Sequence, residues 1–222
     1  KLQQKHGVAT VTELIEIQED LESKIESVGD IDEKLERLDK ERITFRTHVM
    51  KTGALIHKQR QKAIPILKQQ LEAYLAELGL PNARFKFELV ASENFRKNGT
   101  DSLELLFTAN KGLSFGSLKK IASGGEMSRI MLSVKAILAR YKKLPTIIFD
   151  EIDTGVSGEI ANQMARIMGE MSTSTQLLSI THLPQIAAKG EYHIKVYKED
   201  VNEVTRTRLK GLNEDERIVE IA

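Results

Sequence analysis

Thr146-Ile147-Ile148-Phe149-Asp150-Glu151 is a short apolar run that ends in two adjacent carboxylates. Its strand propensity, with Pro145 before it and a Gly-containing loop after it, predicts a buried strand of a mixed or parallel sheet. The acids then stand at the strand's carboxyl end, where open α/β sheets bind their ligands. An Asp-Glu pair there suits a nucleotide hydrolase, the first acid serving Mg2+ and the second orienting a water. Taken alone, the hexapeptide reads equally well as a strand that leaves for solvent through two charges, and its neighbours have to decide.

Of 222 residues, 41% are hydrophobic, 29% charged and 5% aromatic, a balance that fits one globular domain plus an extended, charged helical element. The net charge of +1 names no partner. With no Cys there is no disulfide framework, no thiolate metal site and no cysteine nucleophile. No apolar run approaches membrane-spanning length and no signal-peptide pattern opens the chain, so the expectation is a cytoplasmic protein with no membrane partner. The chain begins at Lys1 and stops at Glu220-Ile221-Ala222 inside an amphipathic helix with no stop signal, which reads as part of a longer polypeptide.

Leu14, Ile17, Leu21, Val28, Ile31, Leu35, Leu38, Phe45, Val49 and Ile56 keep an alternation of three- and four-residue steps, interrupted only by Lys24, Arg42 and Thr52. This heptad seam of about six repeats predicts a coiled-coil arm over 1–62, starting at Thr10 or Thr12, with Gly29-Asp30 and Gly53 as points of bending. A long amphipathic helix lying on the globular domain is the plainer alternative. The chain holds no second heptad run of comparable length, so the coil's other strand is expected from another copy or from an upstream segment folding back.

Residues 42 to 71 contain Arg42, Arg46, Lys51, Lys58, Arg60, Lys62 and Lys68, with His48 and His57, and no Asp or Glu. One-turn spacings such as Arg42/Arg46 and Lys58/Lys62 place part of this charge on a shared face. Such a face could follow the phosphate backbone of duplex DNA, or it could simply be solvated. No interleaved aromatics point to base stacking on a single strand.

Pro65 predicts a kink or restart of the helix, which continues through Leu71, Leu75 and Leu78 to a stop at Gly79. The head, 63–222, follows. Strands are predicted at 84–91 and 102–109, a helix over 124–141, a helix over 158–171, a strand at 176–180, a short helix near Pro184, strands near 193–197 and 204–209, and a final helix opened by Asn213 and Glu216.

Ser123-Gly124-Gly125-Glu126 opens the helix that precedes the Asp-Glu strand. It is a capping box, with Ser123 as N-cap and Glu126 three residues on. Capping does not explain two glycines, each costing about 1 kcal/mol relative to Ala in a helix. A helix N-terminus stripped of side chains, its amides free, is a phosphate site.

Four stretches in order, residues 121–129, Thr146–Glu151, Ile152-Asp153-Thr154-Gly155-Val156-Ser157-Gly158 and Thr181-His182-Leu183-Pro184-Gln185-Ile186-Ala187, resemble an ABC-type ATPase head. More closely, the chain resembles the RecN family, bacterial DNA-repair relatives of the SMC proteins. The Asp-Thr-Gly-Val-Ser-Gly stretch and the Pro-Gln after the His favour that family over SMC proper.

The resemblance implies an α/β fold, the carboxy-terminal lobe of a P-loop ABC-type ATPase head on a long amino-terminal coiled-coil helix, with ATP and Mg2+ as cofactors. It implies that Ser123, Gly124, Gly125 and Glu126 form the signature motif facing ATP held by a second head of the same protein. Asp150 serves Mg2+, Glu151 is the catalytic base, Asp153 belongs to the loop that crosses the head dimer, and His182 is the switch histidine. Standing alone, His182 would read as a capping or core histidine. The family acts in the bacterial cytoplasm, with the nucleoid, at DNA double-strand breaks, by ATP-dependent head engagement and DNA holding.

The sequence departs from the family's pattern in one respect: Gly-x-x-x-x-Gly-Lys-Ser/Thr is missing, and so is any Gly-Lys dipeptide. The nucleotide cradle is therefore expected from an upstream half, and this chain alone is expected to be inactive. Competing expectations are another SMC-family coiled-coil ATPase, a non-catalytic coiled-coil adaptor, and a serine hydrolase through Ser157. The last is disfavoured because Gly155-Val156-Ser157-Gly158 sets its second Gly one residue too early for a nucleophile elbow.

Overall fold

The computed structural model describes residues 1–156, 158–201 and 204–222, leaving aside the side chains of 26–30, 93 and 201. The chain divides into two units, Lys1–Lys58 with Ser92–Asp101, and Gln59–Ala91 with Ser102–Ala222.

In the first unit a short helix α1 (Leu2–His6) ends at Gly7 with φ 70°, and the long helix α2 (Val11–Glu77) follows. Its start is a reciprocal cap. Glu13 Oε2 accepts from the amides of Ala9 at 2.9 Å and Thr10 at 2.8 Å, while the Glu13 amide donates to Thr10 Oγ1 at 3.3 Å. The backbone bond from Thr10, above all, holds the Glu13 carboxyl below the usual range. The bend expected at Gly29-Asp30 falls on side chains outside those described. Gly53 lies within the helix, where a Cβ would stand 3.0 Å from Thr100 Oγ1. Its role is to let a neighbouring strand approach.

Pro65 neither ends nor restarts α2, which runs on to Glu77. Proline removes one hydrogen bond, to the Gln61 carbonyl. The turns beyond are held by packing, since Leu71, Leu75 and Leu78 are 2%, 0% and 0% exposed. Gly79, at φ 78°, then closes the helix in a Schellman motif: Leu80 N donates to Leu75 O at 2.8 Å and Gly79 N to Ala76 O at 3.2 Å.

Strands β1 (Arg84–Arg96), β2 (Gly99–Thr108) and β3 (Gly116–Ser117) form one sheet in that order. β1 and β2 run further than the sequence patterning predicts. They meet at a turn where Asn98-Gly99, with Gly99 at φ 110°, supplies the hairpin chemistry.

A four-residue helix α3 (Leu118–Ile121) leads into α4 (Gly124–Tyr141). Strand β4 (Thr146–Asp150) pairs in parallel with β5 (Gln176–Ile180), Thr146 opposite Gln176 and Asp150 opposite Ile180, and α5 (Glu159–Ser172) is the crossover. One core joins Leu132 and Ala136 of α4 to Ile147 and Phe149 of β4 and to Met164, Ile167 and Met168 of α5. A second joins Leu71 and Leu75 of α2 to Phe85, Phe107, Ile130 and Ile137. Thus α4 packs on both sides, and its first turn is fixed by the body of the unit.

After the short helix α6 (Pro184–Ala187), the antiparallel pair β6 (Ile194–Val201) and β7 (Val204–Gly211) leads to α7 (Glu214–Ile221). The α7 capping box is present as the sequence predicts, with Glu216 N donating to Asn213 Oδ1 at 2.9 Å. Among the described residues no helix is long and apolar enough to cross a membrane.

Candidate nucleotide-facing site

Asp150 is the last residue of β4, and its side chain is exposed at the strand's carboxyl end. Glu151 follows with φ 47°, the one non-glycine residue at positive φ among those described. A left-handed Glu costs roughly 1–2 kcal/mol, so its geometry must be imposed by its surroundings. Three bonds impose it. Glu151 N donates to Ile180 O at 3.1 Å, and Glu151 O accepts from Thr154 N at 3.2 Å and Thr154 Oγ1 at 2.9 Å. The first extends the parallel pairing one residue past Asp150; the other two close a turn.

The loop then dives inward. The resemblance sets Asp153 across a head dimer; here its carboxylate is 0% exposed and its partner is Thr181 of the same chain, whose hydroxyl donates to Asp153 Oδ2. Thr181 Oγ1 also accepts from Leu183 N at 3.0 Å. His182 Nδ1 lies 3.8 Å from Asp153 Oδ1, an oxygen otherwise without a hydrogen-bond partner. The His182 ring is 66% exposed, so it is not a core histidine, and the cap position of the next helix is Leu183. One buried acid thereby anchors the loop after β4 to the turn after β5.

The first turn of α4 meets the same loop. Ser123 and Glu126 make both bonds of the capping box, at 3.4 and 2.8 Å. By helix geometry the amides at the first two helical positions, Gly124 and Gly125, lack helical acceptors. The two glycines differ in what they allow: a Cβ on Gly124 would meet open space, whereas one on Gly125 would stand 3.1 Å from the Gly155 carbonyl oxygen. Gly125 is therefore bare so that the two backbones can touch. Gly155, at φ 73°, turns the loop at that contact. Ser157 lies outside the described residues.

Sequence reasoning gave no role to Arg129, which the structure places in this frame. Its Nε donates to Gly125 O at 3.0 Å and its Nη1 to Leu78 O at 3.0 Å, tying the first turn of α4 to the carboxyl end of α2. Burial lowers the affinity of this guanidinium for its proton, partly offset by Glu126. The signal available in the sequence was an Arg four residues after a helix-opening glycine.

Among the described residues no three His, Asp or Glu side chains converge as a metal cage. Mg2+ in nucleotide sites is held by one or two carboxylates, the remaining ligands being phosphate and water oxygens. A single exposed Asp150 at a strand end fits that pattern.

The seven basic residues singled out between 42 and 71 differ in their surroundings. Arg42 pairs with Asp39 at 2.6 Å and Arg46 lies 6.0 Å over the Phe95 ring, both in the first unit. In the second unit Lys68 pairs with Glu72 at 3.9 Å and Arg60 is partly buried. Lys51, Lys58 and Lys62 are exposed, and no carboxylate of the described residues pairs with them.

No protein-family model matches the chain. Curated relatives do, over its whole length. The DNA repair protein RecN of Halalkalibacterium halodurans is 33% identical over 226 residues, covering 100% of this chain and 40% of that protein. RecN of Bacillus subtilis is 34% identical over 236 residues, covering 100% and 41%, and RecN of Haemophilus influenzae 31% over 223 residues, covering 100% and 40%. The chain thus spans about two fifths of the length of these relatives. Among solved structures, the Smc head domain with a coiled coil and joint from Pyrococcus yayanosii superposes with TM-score 0.60 at 22% identity, over 93% of this chain and 38% of that one. The Smc head domain with an extended coiled coil from Pyrococcus furiosus gives TM-score 0.55 at 20% identity, over 99% and 53%. The chain has the α/β fold of an Smc head domain with its coiled coil, and over its full length it is similar to RecN DNA repair proteins.

Proposed function

We propose that this chain supplies the signature, Walker B and switch elements of an SMC-like DNA repair ATPase, which engages two heads around ATP and Mg2+ and holds DNA near double-strand breaks. One observation carries the reading. The first turn of α4, the Asp150-Glu151 strand end and the Thr181-His182 turn, distant in sequence, meet around one loop through the Gly125–Gly155 contact and the buried Asp153. A coiled-coil adaptor has no use for a left-handed Glu held by three hydrogen bonds or for a buried acid under an exposed His.

In this reading Glu151 orients the attacking water and accepts its proton, Asp150 serves Mg2+, and the amides of Gly124 and Gly125 with Ser123 face the γ-phosphate held by a second head. His182 senses that phosphate, and Asp153 positions His182 through Thr181. The nucleotide cradle comes from an upstream segment. The sheet supports this: Ile147 and Phe149 are buried on one face, while Ile148, Leu178 and Ile180 on the other are 66%, 45% and 56% exposed. A two-stranded parallel pair with an open apolar face is an incomplete layer, since parallel sheets are covered on both faces.

The test is Mg-ATP hydrolysis by this chain alone and after co-refolding with the upstream half of the longer protein. Activity is expected only in the pair, and Glu151→Gln is expected to lower it by about 10²–10⁴-fold. Equal turnover by the chain alone, or an active Glu151→Gln pair, would sink the assignment.

A further inference from the structure

The arm helix of the first unit has three distinct faces, and only one of them is basic and uncovered. The hairpin end, Ser92–Asp101, occupies the first face. Gly53 receives Thr100, whose Oγ1 would be 3.0 Å from an added Cβ; His57 Nδ1 faces the buried Asp101 Oδ1 at 2.7 Å; and Arg46 lies over Phe95. The heptad seam of Leu38, Phe45, Val49 and Ile56 is the second face. At 100° per residue, Arg37, Lys40, Lys51 and Lys58 fall on a third, centred roughly 140° from each of the others.

Between Arg37 and Lys58 this third face is a solvent surface with basic and no acidic residues. All four side chains are exposed. Lys40 has Glu36 at 3.7 Å, whereas no carboxylate of the described residues pairs with Arg37, Lys51 or Lys58. The residues between them on this face are Thr44 and Thr47, with Leu55 at its edge. By contrast Arg42 and Arg46, equally basic in sequence, are taken up by Asp39 and Phe95.

We infer that this lysine face, not the arginines beside it, is the surface of the arm that carries duplex DNA, through sequence-independent contacts to phosphates. From Arg37 to Lys58 the helix rises about 32 Å. That is close to the ~34 Å of one duplex turn. Charge complementarity favours a polyanion, and a lone exposed Leu55 among cations and threonines is not the apolar face that membrane entry requires. No aromatic side chain on the face offers a platform for unstacked bases. A partner helix on the seam and the hairpin on the Gly53 face both leave these lysines open. The inference rests on the DNA-holding part of the proposed function and is independent of its ATPase part.

The experiment is fluorescence anisotropy of a labelled duplex titrated with this chain over a series of salt concentrations. The variant carries Lys40→Gln, Lys51→Gln and Lys58→Gln, substitutions nearly neutral for helix propensity, with an unchanged far-UV circular dichroism spectrum confirming the helix. Loss of three phosphate contacts is expected to weaken low-salt binding at least about tenfold and to lower the slope of log K against log salt by about 2.7. A comparison variant at the hairpin tip, Arg96→Gln with Lys97→Gln, is expected to bind within about twofold of the parent. Equal salt slopes for parent and lysine variant would overturn the inference, as would a larger loss at the hairpin tip or no duplex binding by the parent chain. Polyglutamate binding as tightly as the duplex would overturn the assignment to nucleic acid. Failure here with intact hydrolysis in the reconstituted pair would leave the ATPase reading standing.

Discussion

A single helix meets two fates in this molecule. In the first unit, Leu35, Leu38, Phe45 and Val49 of α2 are 59%, 47%, 66% and 41% exposed. In the second, Leu71, Leu75 and Leu78 of the same helix are 2%, 0% and 0% exposed. Both stretches show helical apolar spacing, so periodicity identifies the face a helix must cover and is silent about what covers it. In the second stretch Leu71 and Leu75 are covered by β1, β2 and α4, through Phe85, Phe107, Ile130 and Ile137, and Leu78 by the core of α4, β4 and α5. The first leaves its seam exposed. This division suits the proposed function: positions that set chemistry are over-determined by packing, and positions that bind an extended partner stay on the surface.

The contrast can be broken by mutation. Leu75→Ala is expected to cost about 2–5 kcal/mol in urea unfolding, the price of a cavity in a closed core. Leu38→Ala in this same chain is expected to shift stability by less than about 0.5 kcal/mol. Equal losses at the two positions would mean that the arm's seam is already buried in solution.

Gly79→Ala sharpens the contrast at the boundary of α2. At φ 78° a side chain is strained, and its Cβ would stand 2.5 Å from Ile160 Cδ1. A loss of about 1–2 kcal/mol is expected from the backbone alone, since the Ile160 terminus can swing aside. A neutral result would show that the left-handed turn at Gly79 is not what closes α2.

The smallest effect on stability is expected where the effect on hydrolysis is largest. Glu151→Gly removes the left-handed penalty but adds backbone freedom to the unfolded chain, so the two terms leave a net change within about 0.5 kcal/mol. Thermal unfolding measures this, and hydrolysis by the reconstituted pair should be lost at the same time. A fall of 2 kcal/mol or more, by that order-of-magnitude scale, would place Glu151 among the structural residues.

Much of the head was legible because its signals are local. The capping boxes at Ser123 and Asn213, the strand at 176–180, the helix opened by Gly124 and the Gly79 stop each follow from a few adjacent residues. That Pro65 and Gly53 sit inside one continuous helix was not legible, for the complementary reason. Their effect depends on long-range packing, on Leu71 and Leu75 in one case and on Thr100 in the other. The hairpin's length was misjudged although Asn98-Gly99 marked its turn, because the polar residues flanking that turn lack the alternation that identifies a strand.

The sequence by itself determined the kinds of groups available: two acids after an apolar strand, two glycines after a capping serine, a histidine after the next strand, a seam and a run of cations along one helix. Residue chemistry and spacing are properties of the chain, and they sufficed to relate it to a family. Only the tertiary structure decided which atoms meet. It turned Glu151 to φ 47°, buried Asp153 beneath Thr181 and His182, put Gly125 against Gly155, and set Arg42 and Arg46 apart from the lysines beside them. Each is a contact between distant segments or between side chains competing for the same charge, and such contacts are fixed by how the whole chain packs.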